Sequence, residues 1–145
     1  KRQPSDGEKP GYSSLILDDP EKCSARVVRS SSGTIRIPEL DLEVSPGGSS
    51  SGYVSNIEGV INRFEDAIGS IMRGNSDDEK VLDASMELLE GLRKMKDGSS
   101  HFLIELLDPR GRSQIIHSDA TIRELKENEK QSLDMGPEVP VFDIR

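Results

Sequence analysis

A chain of 145 residues with 32% hydrophobic, 32% charged and 3% aromatic residues, and no Trp, has the length of one domain and an aliphatic core of Ile, Leu and Val. Its single cysteine, Cys23, excludes an internal disulfide and, with only His101 and His117 beside it, a cysteine-rich zinc site within these residues. No apolar run approaches the ~20 residues of a membrane span, and a net charge of -8 argues against nucleic acid as the main ligand. Lys1 opens the sequence without a signal-peptide apolar region, so the expectation is a fragment or processed start of a cytoplasmic protein.

Residues 1–11 are polar with Pro and Gly and read as a flexible lead-in to a single domain over 12–145. Tyr12–Leu17 reads as a strand, closed by a turn at Asp18-Asp19-Pro20, and Ala25–Arg29 as a second strand. After the turn Ser30–Gly33, Thr34–Ile37 resumes with period-two alternation, and Pro38 places that strand at an edge or ends it there. Alternation continues over Glu39–Val44, with Leu40, Leu42 and Val44 on one face and Glu39, Asp41 and Glu43 on the other. The Gly/Ser segment 46–52 is a connecting loop; it lacks the Gly-Lys-Ser/Thr of a phosphate-binding loop.

Two helices follow, over about 55–97. Ser55 with Glu58, and Ser76 with Glu79, have the spacing of capping boxes. Ile57, Ile61, Phe64, Ile68 and Ile71 form the stripe of the first helix, and Val81, Leu88, Leu92 and Met95 that of the second. Gly74-Asn75 and Asp97-Gly98 supply the stops, and the short gap makes the pair an αα-hairpin. Strand patterns return at His101–Leu107 and Ser113–His117 around the turn Asp108–Gly111. Ser118–Lys130 is charged and reads as helical or loose, and Val139–Ile144 as a last strand or tail. The order strand, hairpin, strand describes a mainly β domain with an inserted helical hairpin.

Nothing in this pattern assembles an active site. A nucleophile needs an adjacent base and an orienting group, and with only His101 and His117 in the chain no histidine-rich cluster is present. Glu39, Asp41 and Glu43 would lie about 7 Å apart along a strand, too far to share one cation; a solvated acidic face accounts for them. Arg26, Arg29 and Arg36 crowd one short segment and read as solvated strand arginines paired with local acids. Turn chemistry accounts for Asp108, and position N3 of a capping box for Glu58.

The stretch Arg26-Val27-Val28-Arg29-Ser30 leading through Thr34-Ile35-Arg36 into Ile37-Pro38-Glu39-Leu40 closely resembles the hallmark segment of ZPR-type zinc-finger proteins. The similarity runs on through Asn56-Ile57-Glu58-Gly59-Val60 and returns at Asp108-Pro109, Gly111 and Ser113, which match the family's D-P-x-G-x-S turn. It covers about Tyr12 to His117 and is similar to the single-copy archaeal members. The resemblance implies a double-stranded β-helix, jelly-roll-like, with a helical hairpin insertion. It also implies a four-cysteine zinc ribbon preceding this region, so that zinc is expected in the parent protein and no cofactor in this chain. Eukaryotic relatives bind translation elongation factor 1-alpha as its folding chaperone, so the implied function is a non-enzymatic protein-binding domain, a chaperone or adaptor for that GTPase. Arg29, Glu39, Glu58 and Asp108 are the polar family-matching positions and hence the candidate partner contacts, with no catalytic or metal-binding residue expected. The alternative is a cupin-like small-ligand or metal-dependent enzyme domain, which would have to rely on His101 and His117.

Overall fold

The structure is a computed structural model, and it describes residues 11–46 and 51–133. Strand β1 (Gly11–Leu17) is followed by a 3-10 turn (Pro20–Ser24), β2 (Arg26–Arg29) and β3 (Thr34–Ile37). A second 3-10 turn (Pro38–Leu40) leads to β4 (Leu42–Val44) and β5 (Tyr53–Asn56). Helices α1 (Ile57–Gly74) and α2 (Glu79–Asp97) come next, then β6 (Phe102–Asp108), β7 (Gln114–Ile116), β8 (Thr121–Glu124) and a short α3 (Glu127–Ser132).

All the strand pairs are antiparallel. One sheet has the order β4-β3-β6-β1-β8 and the other β5-β2-β7. The chain crosses between sheets at each long connection, as a jelly roll does. One core fills the space between them: Leu15, Leu17, Ile104 and Leu106 from the five-stranded sheet meet Val27 and Ile115 from the three-stranded one. The hairpin closes this core with Ile57, Ile61, Phe64 and Ile68 of α1 and Leu92 and Met95 of α2, all buried. A smaller cluster of Tyr12, Leu107, Leu125 and Leu133 lies apart from it.

The helix starts differ from the capping boxes expected at Ser55 and Ser76. Ser55 belongs to β5, where it pairs with Val27, and the cap is Asn56, whose side chain accepts from Gly59 N at 2.8 Å. Glu58 therefore sits at the second helical position, exposed. For α2 the cap is Asp78, which accepts from Lys80 N and Val81 N. Asx side chains at these two positions reach the free amides as well as serine does, so the register moved while the helices stayed. Ile71, expected in the α1 stripe, is 50% exposed, and Met72 of the same turn packs against the core instead.

The alternating strand expected over Glu39–Val44 is broken. Pro38, with its fixed φ, starts a 3-10 turn, and Asp41 follows in the left-handed region at φ 52. Only Leu42–Val44 pair with β3. The charged stretch after Ser118 holds β8 and α3, with bonds from Arg123 to Glu129 fixing the helix against the strand. Of the lead-in, Gly11 already belongs to β1 and the rest lies outside the described residues, as does the Val139–Ile144 segment.

Two glycines are dictated by space. Gly98 ends α2 at φ +77, and a Cβ there would meet the Pro20 ring at 2.4 Å. Gly33 lies so close to Ser113 and Arg29 that a Cβ would stand 2.7 Å from Ser113 Oγ.

Candidate functional site

The turn Ser30–Gly33 after β2 and the turn Asp108–Ser113 after β6 lie against each other. Asp108 is fully buried, and both its oxygens are filled. Oδ1 accepts from Ser32 Oγ at 2.6 Å and Arg110 N at 2.8 Å; Oδ2 accepts from Ser113 Oγ at 2.6 Å and Arg112 N at 3.0 Å. Ser113 Oγ in turn accepts from Ser30 N at 2.8 Å. Four donors around one carboxylate offset the cost of burying its charge. Asp108 thus locks two turns together and has no lone pair left to offer a partner.

Arg29, at the end of β2, points inward. Period-two alternation puts it on the face of Val27, and it is 5% exposed. Its Nε donates to Gly33 O at 3.0 Å and its Nη1 to Ser51 O at 3.1 Å. The buried Nη2 has no hydrogen-bond partner among the described residues. Arg36, by contrast, pairs with Glu43 at 2.9 Å. The expectation of strand arginines paired with local acids holds for Arg36 and fails for Arg29, which packs where no carboxylate approaches within ion-pair distance among the described residues.

Beside Arg29 stands Tyr53, its register partner on β5. The Arg29 guanidinium carbon is 5.6 Å from the Tyr53 ring centre, and Arg63, from the exposed side of α1, stacks on the same ring at 3.8 Å. A half-open cavity of about 240 Å³ is lined by these three side chains and by Ile35, Val60 and Phe64. Burial pulls the Arg29 pKa below the usual guanidinium value and the Arg63 charge adds to this, while Tyr53 and Asp108 oppose it. Burial raises Tyr53, against the pull of both cations. The site is electropositive inside an apolar frame.

The other positions singled out by sequence lie elsewhere. Glu39, on the turn after β3, accepts from Leu103 N at 3.0 Å and helps rim a separate groove of about 540 Å³ between that turn and α2. Glu58 stands exposed at the start of α1. The structure therefore gathers Arg29 and Asp108 around neighbouring turns and leaves Glu39 and Glu58 apart. Sequence reasoning misses Tyr53 and Arg63: β5 is only four residues long and adjoins a Gly/Ser loop, so its pairing with β2 leaves no separate signal.

The framework that holds this cavity is built from the V-V-R-S strand and the D-P-x-G-x-S turn, and residues 21–136 match the ZPR1 jelly-roll domain. The chain belongs to that family. It is 37% identical over 122 residues to an uncharacterized ZPR1-like protein of Methanocaldococcus jannaschii, covering 84% of this chain and 61% of that protein. A second ZPR1-like protein, from Pyrococcus horikoshii, is 33% identical over 118 residues, 80% of this chain and 53% of the relative. Zinc finger protein ZPR1 of Bos taurus is 33% identical over 110 residues, 73% of this chain and 23% of the bovine protein. The chain thus spans between half and two-thirds of the archaeal relatives.

Zinc, implied by the family name, does not fit the residues described. Cys23 is buried with its Sγ turned to the carbonyls of Met95 and Lys96, and burial raises its pKa, away from the thiolate a metal needs. His101 precedes β6 in one sheet and His117 follows β7 in the other. Among the described residues no group of three or more His, Cys, Asp or Glu is placed to hold a metal ion. This is a ZPR1-type jelly roll rather than a cupin. No described helix is long and apolar enough to cross a membrane.

Proposed function

We propose that this domain is the protein-binding, non-enzymatic part of a ZPR-type zinc-finger protein, acting in the cytoplasm as a chaperone or adaptor for a translation elongation factor of the 1-alpha type. Support for a binding role comes from one observation, the outer face of the three-stranded sheet. Val28 and Val54 are register partners, and Ile116 lies two residues along the neighbouring strand on the same face. Val54 is 55% and Ile116 47% exposed. Adjacent apolar side chains left in water on a sheet face are what a partner protein covers. The client itself comes from the family resemblance. Zinc belongs, in this reading, to a ribbon of the parent protein outside these residues.

A pull-down of the cognate elongation factor by the full chain tests the proposal, with Val54→Glu/Ile116→Glu as the variant. Capture by the native chain and its loss in the variant, at unchanged circular dichroism, is the expected result. Absence of capture, with the zinc ribbon supplied, would sink the idea.

A further inference from the structure

We infer that the cavity at Arg29 is a carboxylate-binding site, which takes an acidic side chain or the terminal carboxylate of a partner polypeptide between the guanidinium groups of Arg29 and Arg63.

Three features of the cavity lead there. A buried guanidinium normally has a carboxylate or a full set of acceptors, yet Arg29 uses two of its donor nitrogens on carbonyls and leaves Nη2 unpartnered among the described residues. Asp108, the acid that helps stabilise its charge, already accepts four hydrogen bonds. The second feature is Arg63, a second cation on the same wall, stacked on Tyr53 from an exposed helix face. No described lining residue carries a negative charge. Third, the rest of the lining is largely aliphatic and aromatic: Ile35, Val44, Val60, Phe64 and Ala67.

Size and polarity then select the ligand. At about 240 Å³ the cavity falls below the ~300–1,000 Å³ range of small-molecule pockets, so it holds one or two side chains rather than a nucleotide. A planar carboxylate matches the guanidinium fork, and its apolar carrier matches the lining. A doubly charged phosphate surrenders more hydration than a single carboxylate on entering this apolar frame. The inference rests on the protein-binding reading only for the source of the carboxylate.

Fluorescence anisotropy with three labelled apolar hexapeptides tests it on the full-length domain. One ends in a free carboxylate, one is amidated and carries a single internal Glu, and one is amidated and has no acid. At least one acidic peptide is expected to bind roughly tenfold tighter than the acid-free one. Response to the first assigns the site to polypeptide termini, and response to the second to acidic side chains. Arg63→Ala is expected to erase most of that preference with the fold retained and the thermal midpoint lowered by a few degrees at most, since Arg63 makes no described hydrogen bond and loses only its stacking on Tyr53. Arg29→Lys, which keeps the charge but loses the fork, is expected to weaken the same peptide. Equal binding of all three peptides, an Arg63→Ala variant that keeps the preference, or displacement of the peptide by equimolar inorganic phosphate each overturns the assignment. Capture of the elongation factor reads the sheet face independently, so either result can fail without the other.

Discussion

Ser32 and Asp108, 76 residues apart, are joined by a 2.6 Å hydrogen bond from the serine hydroxyl to the carboxylate, with no solvent at either end. This bond belongs to a set of four that ends β2 and β6 at a common point and fixes the wall on which Arg29 lies. The strand motif and the turn motif that mark the family are two halves of one polar junction.

Replacing Asp108 by Asn should therefore destabilise the fold far more than an isosteric change suggests. An amide offers one acceptor oxygen, and its NH₂ would confront two of the four donors. The expected loss is about 2–4 kcal/mol, against about 1 kcal/mol for Ser32→Ala. Urea unfolding followed by circular dichroism measures both, and similar losses for the two variants would remove Asp108 from its central place.

Gly98→Ala probes the seam between α2 and the first 3-10 turn. The residue is in the left-handed region, which costs a side chain about 1 kcal/mol, and its Cβ would also press on Pro20 and on the backbone of Asp19. An expected cost above about 2 kcal/mol follows, because backbone cannot yield as a side chain does. A thermal midpoint within one or two degrees of the native protein would show that the seam can open.

Leu92→Ala and Ile71→Ala separate buried from exposed positions on the hairpin. Leu92 is fully buried and should cost about 2–5 kcal/mol on truncation. Ile71, half in water, should cost less than about 0.5 kcal/mol. The ratio of the two denaturation midpoint shifts is the readout.

The Arg123–Glu129 pair gives the fold a component that depends on acid. Hydrogen bonding to Arg123, aided by the Lys126 amide and opposed by partial burial, lowers the Glu129 carboxyl from its ordinary 4.5 to about 2. A depressed carboxyl stabilises the folded state fully above its ordinary value and loses that contribution as pH falls towards about 2. With side chains 34% and 19% exposed, solvent screens part of that contribution. Carbon-detected NMR should give a Glu129 midpoint near 2, returning towards 4.5 in Arg123→Met. Stability of Glu129→Gln should match the native protein near pH 2 and fall below it at about pH 6.

Much of the architecture was legible from period alone. The Ile/Phe stripe of α1 and the apolar run Phe102–Leu107 needed only local patterning, because burial on one face leaves a regular trace. Boundaries were less legible. Asn56 took the cap from Ser55 because β5 extended to the last residue before α1, an extension decided by pairing with β2, while Asp78 stood nearer than Ser76 to the free amides of Lys80 and Val81. The Glu39–Val44 alternation was half a strand: Pro38 and the left-handed turn at Asp41 override it up to Asp41, and Leu42–Val44 pair with β3. At the candidate site, the inward parity of Arg29 with Val27 was present in the sequence. Its lack of an acidic partner among the described residues was not, since that depends on Ser51 and Tyr53 arriving across a loop and on Arg63 arriving from a helix.

Strand β1 lies between β6 and β8, with Gly11 opposite both Asp108 and Glu124. A ribosome makes β1 well before either of its neighbours, so at ordinary elongation rates this strand waits on the order of ten seconds with both edges open. The larger sheet then closes only after β8 has left the exit tunnel. Synthesis speed, and whatever shelters that strand meanwhile, should govern how much of this protein reaches its native state in a cell.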